Sequence, residues 1–128
     1  MKIALLFAGQ GAQYVGMGKD FYENFSVAKK YFDMAEDILK TPIKSICFDG
    51  PEETLKMTEN TQPAILLHSF VCYKILEEKG LKADTFAGFS LGEYSALTAS
   101  GVISFEDGIK LVRERGLIMD RAVKSITG

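Results

Sequence analysis

Apolar residues along this chain form short runs that alternate with longer stretches of helical periodicity. The short runs Ile3–Phe7 and Thr85–Phe89 predict two buried strands, because a strand that is covered on both faces carries apolar residues at successive positions. Four longer stretches show helical spacing: Ser26–Leu39, Thr61–Gly80, Leu91–Ser100 and Ser104–Lys124. This alternation of strands and helices predicts an α/β fold with parallel strands.

Local signals predict where several of these helices begin and end. Ser26 is a predicted N-cap, and Ser104 with Asp107 forms a predicted capping box. Pro63 predicts a helix start and Gly80 the end of that helix. The first half of this helix is apolar nearly all round, which predicts that it is buried. Upstream of it, FDGPEETL indicates a turn followed by a short helix.

Composition and charge narrow the class of protein. The 128 residues are 47% hydrophobic and 25% charged, which is typical of one globular domain. The formal net charge is -2 and the two signs are interspersed, so we expect neither nucleic acid nor a membrane as a partner. The apolar run at the N-terminus is shorter than a signal peptide requires, and no stretch is long enough for a membrane span.

The two cysteines, Cys47 and Cys72, stand in apolar runs without the paired spacing of a metal or redox motif. We expect both to be buried, reduced thiols, which favours a cytoplasmic protein. No metal site is expected.

The stretch GFSLGEYSAL places Ser90 in a G-x-S-x-G motif between a predicted strand and a predicted helix. A serine nucleophile needs exposure and nearby donors for an oxyanion, and a sharp strand-to-helix turn supplies both. Gly88 and Gly92 lack the side chains that would clash in such a turn. We therefore interpret Ser90 as a nucleophile; the alternative is a serine that caps the following helix, and the two roles can coexist.

A glycine-rich loop, GQGAQ, follows the first predicted strand. Loops at the carboxyl ends of parallel strands gather at one edge of a sheet, so this loop is expected to face Ser90. The backbone N–H groups of Gln10 and Leu91 are candidates for an oxyanion hole. The glycine spacing does not fit a dinucleotide-binding loop, and no acidic residue stands where that motif requires one.

Five segments together resemble the malonyl-CoA:acyl carrier protein transacylases, the acyltransferase family of fatty-acid and polyketide synthesis. They match in order and spacing across essentially the whole chain. The segments are FAGQGAQYVGMG, TQPAILLHS, GFSLGEYSAL, GVISFEDGIKLV and RGLIM.

The resemblance implies a role for each candidate residue. Ser90 is implied to be the acylated nucleophile, Gln10 and Leu91 the oxyanion donors, and Gln62 a neighbour of the site. Arg115 is implied to bind the free carboxylate of a malonyl group, and a guanidinium on a mostly apolar helix side suits that task. The implied partners are malonyl-CoA and acyl carrier protein, with the coenzyme A thioester as substrate and no resident cofactor.

The resemblance also implies a fold, a three-layer hydrolase-like core with a parallel sheet. Residues 1–128 match an N-terminal part of that domain, so we expect a truncated piece that lacks the ferredoxin-like subdomain, the later strands and the catalytic histidine. The chain's one histidine, His68, stands in an apolar helix away from the family's position and is expected to be structural or surface-exposed. We therefore expect little turnover from this chain alone.

Some features leave alternatives open. Ala8 and Phe89 replace the proline and histidine that are frequent in the family, which affects only the expected pocket shape. Arg113 and Arg121 are expected on the surface. The alternative functions are a stand-alone polyketide acyltransferase, an α/β-hydrolase such as an esterase or thioesterase, and a non-catalytic fragment.

Overall fold

The computed structural model of the chain describes residues 1–127, which contain two strands and seven helices. The strands are β1 (Ala4–Phe7) and β2 (Thr85–Gly88). The helices are α1 (Lys19–Asn24), α2 (Ser26–Leu39), α3 (Ile43–Asp49), α4 (Glu52–Lys56), α5 (Thr58–Glu78), α6 (Leu91–Ala99) and α7 (Phe105–Thr127). The predicted α/β class is confirmed.

The two strands pair in parallel, as the alternation of elements predicted. Their register runs from Ala4 opposite Thr85 to Phe7 opposite Gly88. A parallel pair requires a long crossover connection, and helices α1 to α5 supply it here. Both strands therefore end at the same edge of the sheet, where the glycine-rich loop and the Ser90 turn begin.

The prediction that both strands are buried is wrong for the described residues. Along each strand, exposed and half-buried positions alternate. The half-buried face carries Phe86, whose ring packs against Tyr73 of α5 at 5.5 Å between centroids. The opposite face is open, and Leu6 on it is 82% exposed. Helices cover one face of the sheet in residues 1–127, so apolar residues on the other face contact solvent.

The core of the molecule lies between helices. Side chains from α2, α3, α5 and α7 form one buried cluster, which also extends to α4 and α6. Its fully buried members include Phe32, Ile43, Leu66, Leu67, Ile109 and Val112. None of the helices in the described part of the chain combines the length and apolar character needed to cross a bilayer.

Helix α5 is buried through its first half, as its pattern predicted, but it begins earlier than expected. All residues from Asn60 to Leu67 are buried. The helix starts at Thr58, so Pro63 lies inside it. Because proline has no N–H, the carbonyl of Glu59, four residues earlier, loses its usual helical donor. Arg113 Nη1 of α7 donates to that carbonyl at 2.7 Å and replaces the missing bond.

Two other helix starts test the predicted caps. Ser26 is the first residue of α2 rather than its N-cap, so that prediction is off by one residue. The reason is that α1 ends at Asn24, and the extended residue Phe25 joins the two helices directly. Ser104 does cap α7, since its Oγ accepts the N–H of Asp107 at 3.1 Å.

The short helices α1 and α3 were not predicted. Helix α3 buries Ile43, Ile46 and Cys47, but it includes Asp49, so part of the predicted FDG turn is helical. Helices of six and seven residues offer too few periods for a reliable pattern.

Candidate active site

Ser90 lies in the sharp turn between β2 and α6. Its backbone angles are φ 56° and ψ −113°, a positive-φ conformation that few residues other than glycine adopt. The turn closes through the Gly92 N–H, which donates to the Phe89 carbonyl at 2.9 Å, and the Glu93 N–H, which donates to the Ser90 carbonyl at 3.0 Å. The strand–turn–helix context that a nucleophilic serine requires is therefore present.

Two glycines allow this turn to pack tightly. A Cβ at Gly88 would collide with the backbone of Gly92, and a Cβ at Gly92 would collide with the carbonyl of Phe7. The first turn of α6 thus rests directly on the ends of both strands. This is the steric reason that was predicted for the glycines on either side of Ser90.

The side chain of Ser90 does not cap α6, although the residue occupies the N-cap position. Its Oγ instead accepts a hydrogen bond from Arg115 Nη2 at 3.0 Å. This contact joins two residues that are 25 positions apart in the sequence. The capping alternative is therefore wrong for the Ser90 hydroxyl.

Arg115 reaches Ser90 from the buried interface between α5 and α7. Its Nη1 donates to Gln62 Oε1 at 2.9 Å, and Gln62 Nε2 donates to Met119 Sδ at 3.1 Å. Gln62 is fully buried, so its amide is held in place by its surroundings. The guanidinium of Arg115 also lies over the ring of Tyr94, 5.2 Å from its centroid. The contacts with Gln62 and Tyr94 therefore hold Arg115 beside the Ser90 hydroxyl.

The glycine-rich loop packs against the Ser90 turn. A Cβ on Gly9 would lie 3.0 Å from the carbonyl oxygen of Phe89. The Gln10 side chain points away towards α5, where its Nε2 donates to Thr58 Oγ1 at 3.5 Å. Leu91 is the first residue of α6, so its N–H has no partner within the helix. The structure thus brings the loop of Gln10 and the Leu91 N–H to the same sheet edge.

His68 lies away from Ser90, on the part of α5 that packs against Tyr14 and Phe21. Its ring contacts Phe21 and Tyr14, at 5.6 and 6.3 Å between centroids. Burial lowers the pKa of His68 below its ordinary value, although the charge of Asp20 opposes this shift. A neutral imidazole packed among aromatic rings fits the predicted structural role.

The two cysteines are free thiols. Cys47 is buried, and burial raises its pKa to about 12. Cys72 is only half-buried, so the prediction of full burial is wrong there, and its pKa is raised to about 11 mainly by burial. Both thiols are therefore protonated at neutral pH and poor nucleophiles. Within residues 1–127, no cluster of three or more His, Cys, Asp or Glu side chains could hold a metal ion.

Sequence reasoning missed three residues around the site. Arg113 was expected on the surface, but it is half-buried and bonded to α5, because its guanidinium binds the carbonyl that Pro63 leaves free. Tyr94 also lies beside Arg115, and its position one helical turn after Ser90 could have predicted that it is near the site. Thr58 gave no signal, because nothing in the sequence indicates that Gln10 reaches it.

Known proteins resemble this chain in sequence. The family model described as acyl transferase domain matches residues 4–125. A malonyl CoA-acyl carrier protein transacylase of Bacillus subtilis (strain 168) is 47% identical over 127 residues, covering 99% of this chain and 40% of that protein. The chain thus spans about two fifths of the length of this curated relative.

Solved structures resemble the chain in fold as well as in sequence. The crystal structure of MCAT from Streptococcus pneumoniae superposes with a TM-score of 0.92 at 49% identity, covering 94% of this chain and 39% of that one. A malonyl-transacylase solved in complex with its type II PKS acyl-carrier protein superposes with a TM-score of 0.90 at 41% identity, covering 95% of this chain and 40% of that one.

Proposed function

Because the chain belongs to the acyl transferase domain family, we propose that it carries the nucleophile and the carboxylate-binding residue of a malonyl-CoA:acyl carrier protein transacylase. The observation that carries this proposal is the contact between Arg115 and Ser90, 3.0 Å from Nη2 to Oγ. A cation at that distance from the nucleophile suits an acyl group with a second, negatively charged end. A malonyl group has that chemistry, whereas an acetyl group lacks the carboxylate.

The proposed reaction has two halves. Ser90 Oγ attacks the thioester carbonyl of malonyl-CoA, the carbon–sulfur bond breaks, and coenzyme A leaves as a thiol that carries the serine proton. The malonyl group remains as an ester on Ser90. The thiol of acyl carrier protein then attacks this ester, which restores the serine hydroxyl and completes the transfer.

Two backbone N–H groups are proposed to stabilise the tetrahedral intermediate. The N–H of Leu91 lies in the first turn of α6, where the helix dipole favours negative charge. The N–H of Gln10 is proposed as the second donor, because its loop packs against the Ser90 turn. Loss of one such donor typically lowers kcat by about 10²–10³.

Arg115 and Gln62 are proposed to choose the acyl group. A guanidinium binds a carboxylate through two parallel hydrogen bonds, which an ammonium cannot reproduce. Gln62 holds one arm of the guanidinium at 2.9 Å, so Arg115 is oriented before substrate arrives. Such preorganisation lowers the entropy that binding must otherwise overcome.

The described residues offer Ser90 no base. Within residues 1–127, neither a histidine nor a carboxylate hydrogen-bonds to Ser90 Oγ, and His68 packs against Tyr14 and Phe21. General base catalysis contributes about 10²–10⁴-fold. We therefore infer that this polypeptide forms the malonyl ester slowly and without appreciable turnover.

The wider setting is also proposed. Malonyl transfer to acyl carrier protein suits fatty-acid synthesis, and the free thiols of Cys47 and Cys72 suit the reducing cytoplasm. We further infer that in a full-length transacylase a further layer covers the sheet face around Leu6, which gives a three-layer, hydrolase-like arrangement. An open apolar face supports that inference, because water contact with it is unfavourable.

Acylation of the chain tests the proposal. The polypeptide is incubated with malonyl-CoA at long times, and its intact mass and peptide map are recorded. A malonyl ester on Ser90 is expected in the native sequence and in the control Ser100→Ala, an exposed serine after α6. No ester is expected in Ser90→Ala. An ester that persists in Ser90→Ala, or a native chain that stays unmodified, would overturn the proposal.

A further inference from the structure

Arg113 makes the most extensive polar contact between α7 and α5. Its Nη1 donates to the Glu59 carbonyl at 2.7 Å and to Asn60 Oδ1 at 2.8 Å. Its Nη2 donates to Thr41 Oγ1 at 3.3 Å. The Glu59 carbonyl is available because Pro63 supplies no N–H to it. The guanidinium therefore binds a defined point on α5, not merely a polar surface.

The neighbouring Gly116 brings the two helices into backbone contact at the same point. A Cβ on Gly116 would lie 2.8 Å from both the Thr58 carbonyl oxygen and the Glu59 Cα. Gly116 is buried. Gly116, which brings the two helix backbones close together, thus lies one helical turn from Arg113.

Arg113 and Arg115 lie on opposite flanks of this contact. Successive helical residues are about 100° apart, so Arg115 lies about 100° to one side of Gly116 and Arg113 about 60° to the other. Arg113 binds Glu59 and Arg115 binds Gln62, so both flanks are attached to α5. A rotation of α7 that broke the first attachment would also move the second.

We propose that Arg113 is a positioning residue, which fixes the rotation of α7 on α5 and so holds Arg115 at hydrogen-bond distance from Gln62 and Ser90. The importance of that geometry for acyl transfer rests on the proposed function. The linkage between Arg113 and Arg115 does not rest on the proposed function, because it depends only on the contacts between α5 and α7.

The test reads the geometry of Gln62 and Arg115 directly. Two-dimensional proton–nitrogen NMR spectra of the labelled chain follow the Gln62 side-chain amide and the Arg115 Nε–H. The variants are Arg113→Ala, Arg113→Lys and the control Lys110→Ala, which removes an exposed side chain one turn away whose partner is Glu106. Urea unfolding of each variant gives its stability.

Arg113→Ala is expected to shift both signals by more than their line width and to raise the unfolding equilibrium constant about tenfold or more, since bonds to a charged group are lost. Arg113→Lys is expected to give intermediate shifts, and Lys110→Ala to leave both signals in place. Loss of stability in Arg113→Ala with both signals unmoved would overturn the proposal, because Arg113 would then be merely structural.

If Arg113→Ala does not fold, the proposal is tested with Arg113→Lys. Shifted Gln62 and Arg115 signals in that variant support the proposal, and unshifted signals overturn it. These signals report the helix geometry whether or not Ser90 accepts a malonyl group. Failure of the acylation experiment would therefore leave this result intact, and the two failures are distinguishable.

Discussion

The interface between α5 and α7 and the sheet of β1 and β2 both contribute to the site, but they differ sharply in burial. At the interface, Gln62 and Val112 are fully buried and two arginines are tied across it. On the sheet, Leu6 is 82% exposed, and in the turn after β2, Phe89 beside the candidate nucleophile is 85% exposed. The α5–α7 interface is therefore a packed core, whereas the sheet has a face that is open to solvent.

This difference separates the two tasks of the site. The residues proposed to choose the acyl group, Arg115 and Gln62, stand in packed surroundings that fix their geometry. The residue proposed to react, Ser90, is half-buried and stands at the edge of the open region. Rigid recognition beside a half-buried serine that borders an open surface suits the proposed transfer reaction.

The largest expected effect is a difference in stability between a substitution in the buried core and one on the open sheet face. Leu66→Ala empties a fully buried position and is expected to lower the free energy of unfolding by about 2–5 kcal/mol. The matched change Leu6→Ala on the open sheet face is expected to cost under about 0.5 kcal/mol. Urea unfolding followed by circular dichroism measures both. Equal losses would mean that the sheet face is covered, for example by a second copy of the chain.

A smaller effect is expected where the α5–α7 contact is closest. Gly116→Ala places a Cβ 2.8 Å from the Thr58 carbonyl oxygen and is expected to cost about 1–3 kcal/mol through overpacking. The control Ser125→Ala, on the exposed end of the same helix, is expected to change stability little. Thermal unfolding of the two variants provides the comparison. A neutral or stabilising Gly116→Ala would show that α7 does not approach α5 this closely.

The smallest effect concerns pH and His68. Its pKa is lowered in the folded state by burial, so the unfolded chain binds the proton first as the pH falls. Stability is therefore complete above the ordinary histidine pKa of about 6.5 and declines as the pH drops towards the lowered value. Unfolding midpoints measured across this window should lose that slope in His68→Phe. An identical slope in the variant would assign it to other groups.

Sequence patterns predicted the local features well. The strand before Ser90, the tight glycines around it and the start of α6 all depend on neighbouring residues, and they were found within a residue or so. The prediction that Gln62 and Arg115 belong to one site came from resemblance, and the structure brings them together.

Features that depend on distant elements were not predictable. Arg113 resembles any surface arginine until α5 is known to begin before Pro63, which leaves the Glu59 carbonyl free. The apolar strand pattern indicates that both faces suit burial, but it does not show which segment covers each face, so the exposure of Leu6 was missed. Both errors arise because burial and pairing are decided by packing between segments.

The claim that Arg115 selects a malonyl group at Ser90 is tested most directly by comparing malonyl and acetyl esters. Rates of Ser90 acylation from malonyl-CoA and acetyl-CoA are measured by intact mass for the native chain, Arg115→Ala and Arg115→Lys. Hydrogen bonds to a charged group contribute about 1.5–3 kcal/mol, so Arg115→Ala should lower the malonyl rate about ten- to a hundredfold and leave the acetyl rate similar. Arg115→Lys should recover only part of the malonyl rate. Equal loss with both esters would contradict the account and make Arg115 a structural residue.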